Sequence, residues 1–515
     1  MIPGMKPDLW QGGAIAVWLL AQATVPSPRF EARQTDLLSA GGTLVNAAAD
    51  YDGDGDVDLF VGFNGAANRL YRNDRGVFTD VAAAAGVADA RPTRAAAWGD
   101  FDGDGDPDLL VGFAPLGAAR GRPFDAAQGR PSDAAQGRPG AGSVLRLYRN
   151  DRGRFADVTA ESGMSVEAGA VRQPAWIDVD ADGDLDLFVG FRDRADMLFR
   201  NTAGRFTDIA PAVGLADTRK TVGAVWFDYD EDGDLDLYSA HMDGDANGLF
   251  RNDGGRFTDV AEPAGVAWGG RAPRDAANGT VRPCVADVDG DGRFDLFTAN
   301  YGPNGLFLNR GGGTFEDVSA AWGVAIDSRY DTCAFGDVDN DGRVDLYVNG
   351  TVTGGKSYRD YLFRNTGTKF EDVTPDTVRS LEADHGALWA DFDGDGAEDL
   401  ALTGARPNGM HLLLRNLLPA ADLRRSLGIR VVDSRRHATR AGAEVRVYEA
   451  GTRRLIGARL VDSGSGYDAQ NDMPVRVGLG RAGRADVEVT WPGGGRRTVV
   501  GMRGVAAGEK KVLRF

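Results

Sequence analysis

One ten-residue phrase occurs seven times and constrains the fold more than any other feature. It reads DYDGDGDVDL from Asp50, DFDGDGDPDL from Asp100, DVDADGDLDL from Asp178, DYDEDGDLDL from Asp228, DVDGDGRFDL from Asp287, DVDNDGRVDL from Asp337 and DFDGDGAEDL from Asp391. Successive starts lie 50, 78, 50, 59, 50 and 54 residues apart. A second phrase, LYRN or a close variant, follows each copy, at 70–73, 147–150, 198–201, 249–252, 306–309, 362–365 and 413–416. A third, FTDV or a variant, follows six of them, from Phe78, Phe155, Phe206, Phe257, Phe315 and Phe370. A unit of about 50 residues with several short apolar runs between turn residues predicts four strands per repeat. Seven such units predict an all-β chain folded as a seven-bladed β-propeller over 28–418, with a loop of this phrase in each blade. The one long step holds FDAAQGRPSDAAQGRP at 124–139, a tandem tract too poor in apolar residues to build a core. It reads as a surface insertion over about 114–143.

The loops carry the chemistry. Positions 1, 3, 5 and 9 are aspartate throughout: Asp50, Asp52, Asp54 and Asp58; Asp100, Asp102, Asp104 and Asp108; Asp178, Asp180, Asp182 and Asp186; Asp228, Asp230, Asp232 and Asp236; Asp287, Asp289, Asp291 and Asp295; Asp337, Asp339, Asp341 and Asp345; Asp391, Asp393, Asp395 and Asp399. Position 6 is always glycine, and position 7 varies: Asp56, Asp106, Asp184, Asp234, Arg293, Arg343 and Ala397. A hard cation such as Ca²⁺ takes six to eight oxygens. Alternate side chains converge when a backbone curls round an ion, glycine permits the sharp turn, and position 7 offers a carbonyl, which frees its side chain to vary. Without a cation, each close carboxylate pair costs about 4 kcal/mol at 4 Å and an effective dielectric of 20. Up to seven Ca²⁺ ions, one per blade, are therefore expected; Mg²⁺, which prefers a rigid octahedron and keeps its water, fits less well. An EF-hand is excluded, because position 12 is Val61, Val111, Val189, Ser239, Thr298, Val348 or Leu402 rather than Glu, and the flanks are strand-like.

The chain's formal charge is −18, which argues against nucleic acid as a partner. Lys6, the apolar run Gly12–Leu20 and the Ala21-Gln22-Ala23 stretch read as an export signal over 1–23. That run is too short to span a bilayer, and no later one reaches about 18 residues, so no transmembrane anchor is expected. The chain is expected to be secreted or periplasmic, and monomeric. Cys284 and Cys333 fall three and four residues before their loops, on opposite pleat faces of neighbouring strands, which argues against a disulfide. Trp98, Trp176, Trp226 and Trp389 recur two residues before their loops and read as packing between blades. His241 and His385 read as structural. The seventh repeat lacks FTDV, leaving a bare edge that natural sheets avoid. Residues 28–34, around Phe30, are predicted to supply its outer strand.

From about Leu423 the aspartate loops stop, and alternating runs such as GIRVV, AGAEVRVYEA, VRVGLG and ADVEVTWPGG predict a small β-sandwich over 423–515. The three ordered phrases resemble FG-GAP/VCBS repeats, the propeller units of integrin α subunits. SGSGY, VGLG and VTWP resemble the ASPIC/UnbV domain, and the order of the two is similar to that in the cartilage acidic protein family. The resemblance implies calcium loops on one rim and ligands on the opposite one, where the 114–143 insertion and the 352–361 loop would lie. The expected function is an exported calcium-binding propeller acting as a binding or adhesion module for an extracellular protein or glycan. It supplies no catalytic residues, so no enzyme is expected; the alternative is a polysaccharide-active lyase or glycosidase.

Overall fold

Each copy of the ten-residue phrase turns the chain between two antiparallel strands, and the second strand begins at position 9. The computed structural model describes residues 27–115, 142–353, 356–379, 385–404, 411–435, 437, 440–462, 469–470 and 474–515. The expected export signal and most of the insertion lie outside them. In the first sheet Thr43–Ala49, Asp58–Phe63, Arg69–Asp74 and Val77–Asp80 pair in sequence order. Five further sheets repeat this order, starting from Thr93–Gly99, Val171–Ile177, Thr221–Phe227, Gly279–Ala286 and Asp327–Gly336. The result is an all-β, propeller-like array. The fifth and sixth sheets are hydrogen-bonded to each other, because Asp295–Pro303 runs on past its own hairpin and pairs Tyr301 with Arg329.

The seventh sheet is assembled from both ends of the repeat region. Ala387–Ala390, Asp399–Leu402 and Leu412–Asn416 follow in order, and the outer strand is Phe30–Ala32, pairing Phe30 with Asn416 and Ala32 with Leu414. This is the outer strand expected from the missing third phrase. Phe30 is buried, 6.3 Å from the ring of Trp389. The first strands of successive sheets pack against one another, and that of the seventh packs against that of the first.

The recurring tryptophans join neighbouring sheets. The indole N–H of Trp98 donates to Ala47 O, that of Trp176 to Ala97 O and that of Trp389 to Ala334 O, each on the first strand of the preceding sheet. Apolar clusters lie between sheets: Ala95, Ala97 and Leu110 of the second pack with Trp176, Leu187 and Phe199 of the third. His241 is buried, with Nδ1 beside Ala246 O and Nε2 beside Ser239 Oγ; burial pushes its pKa down to about 4.

The cysteine expectation is corrected. Cys284 and Cys333 are disulfide-bonded, with Cα atoms 6.2 Å apart. Successive sheets stack front to back, so the face one turns towards its neighbour is opposite to the face that neighbour turns back. Opposite pleat faces on adjacent first strands therefore meet. The bridge closes a 49-residue separation, worth about 4 kcal/mol by the chain-entropy estimate. Cys284→Ser/Cys333→Ser should lower stability by up to this amount in denaturant melts; an unchanged midpoint would contradict it.

The remaining residues form a three-stranded sheet, with Ser426–Val432 between Val475–Gly478 and Lys510–Arg514, and a four-stranded one. The latter orders Leu455–Leu460, Glu444–Glu449, Arg484–Pro492 and Arg497–Ala506. Both share one core, including Ile429, Val445, Val487, Val489, Trp491 and Leu513. Among the described residues no helix is long and apolar enough to cross a membrane.

Candidate metal centre

The phrase folds into the same loop each time. The position 6 glycines, Gly55, Gly105, Gly183, Gly233, Gly292, Gly342 and Gly396, all have φ between +92° and +101°. Side chains other than glycine rarely adopt this conformation. It turns each glycine N–H onto Oδ2 of the first aspartate, at 2.9–3.3 Å across the seven loops.

The aspartates at positions 1, 3 and 9 are brought together. Carboxylate oxygens of Asp50, Asp52 and Asp58 lie within 4.8 Å of one another, as do those of Asp100, Asp102 and Asp108, of Asp178, Asp180 and Asp186, and of Asp228, Asp230 and Asp236. In the fifth loop the cluster is Asp287, Asp289 and Asp291. Position 5 turns one oxygen to the position 7 N–H, as Asp54 does to Asp56, Asp232 to Asp234 and Asp291 to Arg293, each at 2.9 Å.

Position 9 is both a cluster member and a structural pin. Asp58 accepts the N–H of Asn73 on Oδ1 and that of Tyr51 on Oδ2, and Asp108 does the same with Asn150 and Phe101. The other five repeat the pattern. The third strand is thereby fixed to the loop. Its asparagine, the last residue of the LYRN phrase, continues the chain of contacts: Asn73 Nδ2 donates to Phe392 O, Asn150 to Tyr51 O, Asn201 to Phe101 O, Asn309 to Tyr229 O, Asn365 to Val288 O and Asn416 to Val338 O. Each acceptor is position 2 of another sheet's loop. This latch went unread in the sequence, although the asparagine that ends every LYRN-like phrase was its signal.

The side chains at position 7 stay out of the clusters. Asp56, Asp106, Asp184 and Asp234 accept N–H groups of Arg75, Arg152, Ala203 and Gly254 in the turn after the third strand. Arg293 and Arg343 reach the same region by donating to Asn309 O and Asn365 O, and pair with Asp291 and Asp341. Either chemistry ties the loop to the next turn. Ala397 is fully buried.

The clustered carboxylates are electrostatically costly. Burial, reinforced by Asp104 and Asp102, pushes Asp100 up to about 7. Burial likewise raises Asp178, Asp228 and Asp287 to about 7 and Asp337 to about 8, against the lowering effects of Arg440, Arg497 and Arg459 at the first, second and last of these. Burial takes Asp58 and Asp186 to about 8, and Asp108 and Asp236 to about 9, although backbone N–H groups oppose it. Oδ1 of Asp178, Asp228 and Asp391 is buried with no hydrogen-bond partner among the described residues. An all-oxygen donor set with buried, unsatisfied carboxylate oxygens fits a hard divalent cation.

The C-terminal domain lies over this end of the array. Arg440 pairs with Asp178 at 3.2 Å, Arg497 with Asp228 at 2.7 Å, Arg459 with Asp337 at 3.5 Å, Arg476 with Asp391 at 2.5 Å and Arg430 with Asp50 at 3.9 Å. Arg446 donates to Gly292 O at 2.7 Å. Ala469–Gln470 adds in parallel to Thr43–Ala49, pairing Ala469 with Asn46. These arginines were not singled out from the sequence. A signal existed: residues 423–515 hold 19 Lys and Arg against 9 Asp and Glu, so −18 divides into +10 there and −28 elsewhere.

Family models match residues 50–111, 178–239, 228–298 and 287–348 as the FG-GAP-like repeat and 433–510 as ASPIC and UnbV. The chain is an FG-GAP-like repeat protein with an ASPIC and UnbV domain. Human cartilage acidic protein 1 is 30% identical to it over 280 residues, covering 51% of this chain and 39% of the human protein. The mouse protein of that name is 30% identical over 265 residues, covering 48% and 38%. This FG-GAP-like chain thus spans about two fifths of the length of the curated relatives it matches. Among solved structures, an Agrocybe aegerita lectin described as recognising non-reducing terminal N-acetylglucosamine aligns with a TM-score of 0.39 and 16% identity, over 74% of this chain and 90% of the lectin. Rhamnogalacturonan lyase YesW aligns with a TM-score of 0.37 and 14% identity, over 77% and 75%.

Proposed function

We propose that the seven sheets are the blades of a closed, calcium-loaded β-propeller that is exported and works as a binding module for an extracellular protein or glycan. The observation that carries this reading is the set of buried aspartate clusters, repeated loop after loop and lined only by oxygen. Asp at positions 1, 3, 5 and 9 would hold the ion, with the position 7 carbonyl. The ion supplies the countercharge that lets these buried carboxylates ionise together. The chain's own residues do the rest: the asparagine latches join neighbouring blades, the N-terminal strand ties the ring's ends, and the C-terminal arginines occupy the loop end. A ligand is then left the opposite end, where the second and third strands of each sheet are joined. There the sixth sheet carries a small hairpin, Val352–Thr353 with Lys356–Ser357, with the Lys356 ammonium 4.6 Å from the centre of the Tyr358 ring.

A screen of glycans and matrix proteins against the calcium-loaded chain tests the reading. A ligand should be retained, and Lys356→Ala/Tyr358→Ala should weaken it about tenfold without moving the melting temperature. Turnover of a polysaccharide, or a ligand lost only on substitution at the loop end, would overturn it.

A further inference from the structure

In four loops one oxygen of the first aspartate meets two neighbours and the other meets none. Oδ2 of Asp50, Asp178, Asp228 and Asp391 accepts the position 6 glycine N–H. The same oxygen faces an arginine of the C-terminal domain, respectively Arg430, Arg440, Arg497 and Arg476. Oδ1 of the same four carboxylates has no hydrogen-bond partner among the described residues. Yet Asp178, Asp228 and Asp391 are only 1%, 3% and 3% exposed. Loops two and five differ. Among the described residues no C-terminal arginine pairs with Asp100 or Asp287, and their Oδ1 atoms are held by the loop itself: Asp100 by the N–H of Asp104, Asp287 by those of Gly290 and Asp291. Loop six has both kinds of contact, with Arg459 on Oδ2 of Asp337 and the Asp341 N–H on Oδ1.

We infer that docking of the C-terminal domain and cation binding are linked through these shared carboxylates. The inference rests on the calcium reading above. A guanidinium on Oδ2 fixes the carboxylate with Oδ1 unspent and inside the cluster, as outer partners of a metal ligand commonly do. The docked domain therefore raises the cation affinity of loops one, three, four and seven, and by reciprocity the cation tightens docking. Loops two and five, which hold their own Oδ1, are indifferent to it. Charge does not oppose the arrangement. Loops one and three each carry five carboxylates, so a divalent ion leaves three negative charges and the arginine leaves two; loop four adds Glu231, which Arg446 and Arg497 face.

The test uses the full chain. Calcium binding is followed by calorimetry in wild type and in Arg440→Gln/Arg476→Gln/Arg497→Gln, with Arg453→Gln, whose partner is the surface residue Glu488, as control. The triple variant should bind about three ions some tenfold more weakly while the others, and the control, keep wild-type affinity. Amide hydrogen exchange of wild type needs no variant: chelation should speed exchange in Ser426–Val432 and Arg497–Ala506. Equal or tighter calcium binding by the triple variant, or exchange in these strands that ignores chelation, overturns the linkage. A wild-type chain that binds no calcium removes the metal reading itself, a separately recognisable result.

Discussion

Chelator-treated protein is expected to melt about 4–12 °C below protein in 1 mM Ca²⁺. Sites of the extracellular class have Kd of roughly 10⁻⁴–10⁻³ M. At 1 mM each then contributes about 0.4–1.4 kcal/mol by mass action, and seven contribute about 3–10 kcal/mol. Unfolding roughly 390 residues at about 2.1 cal/mol/K each converts that sum into the stated shift. The shift should depend on pH with a definite sign. Without metal, burial holds Asp100, Asp178, Asp228 and Asp287 near 7 and Asp58, Asp108, Asp186 and Asp236 near 8–9, against an ordinary value of 3.8. The folded state binds more protons than the unfolded one between those limits, so these groups stabilise the metal-free protein below about pH 4 and lose that contribution as pH rises through 7–9. A cation replaces the protons, so its contribution should be small near pH 4 and full above about pH 9. Melting curves with and without chelator across this range check both statements. A calcium shift that grows on acidification would contradict them.

Asn150→Ala should cost about 2–5 kcal/mol although it removes no charge and little apolar surface. Asn150 is fully buried; its Nδ2 donates to Tyr51 O at 2.8 Å and Pro107 O at 3.0 Å, and its Oδ1 accepts the Gly153 N–H at 2.7 Å. Alanine strands two carbonyls and one N–H, each worth about 1–3 kcal/mol when left unpaired, less whatever entering water recovers. The backbone N–H of residue 150, which alanine keeps, holds Asp108 Oδ1, so a shift of this strand should slacken the second loop and weaken its calcium binding. The equivalent Asn73 contact, to Phe392 O at 2.7 Å, joins the first sheet to the seventh, so Asn73→Ala should loosen the contact between the two ends of the repeat region. Denaturant melts measure both; a loss under about 0.5 kcal/mol, the usual scatter of surface substitutions, would remove the latch.

Strand order was readable because the phrase marks where strands begin: position 9 opens a strand in every repeat, from Asp58–Phe63 to Asp399–Leu402. The outer strand at Phe30–Ala32 was readable by subtraction, since six third phrases serve seven sheets. The position 6 glycines followed from the loop's own spacing; of positions 1, 3, 5 and 9, expected to converge, the structure groups 1, 3 and 9 in the first four loops and 1, 3 and 5 in the fifth. Contacts between segments far apart in the chain were not readable. The Cys284–Cys333 bridge depends on how neighbouring sheets face each other, which no single strand's alternation encodes. The pairing of Arg497 with Asp228 joins residues 269 apart, and only the opposed charges of the two parts of the chain hinted at it. The merger of the fifth and sixth sheets depends on Asp295–Pro303 continuing three residues past the usual strand end at Asn300.

Equilibrium dialysis of the full chain against radiolabelled Ca²⁺ tests the central claim most directly. The account predicts saturation approaching seven ions per chain at millimolar calcium, with Mg²⁺ in equal concentration displacing few of them, and a reduction by about one ion in Asp108→Asn. A folded chain that takes up no calcium at millimolar concentration, or whose uptake is unchanged when Asp100, Asp102 and Asp108 are all replaced by Asn, would contradict it.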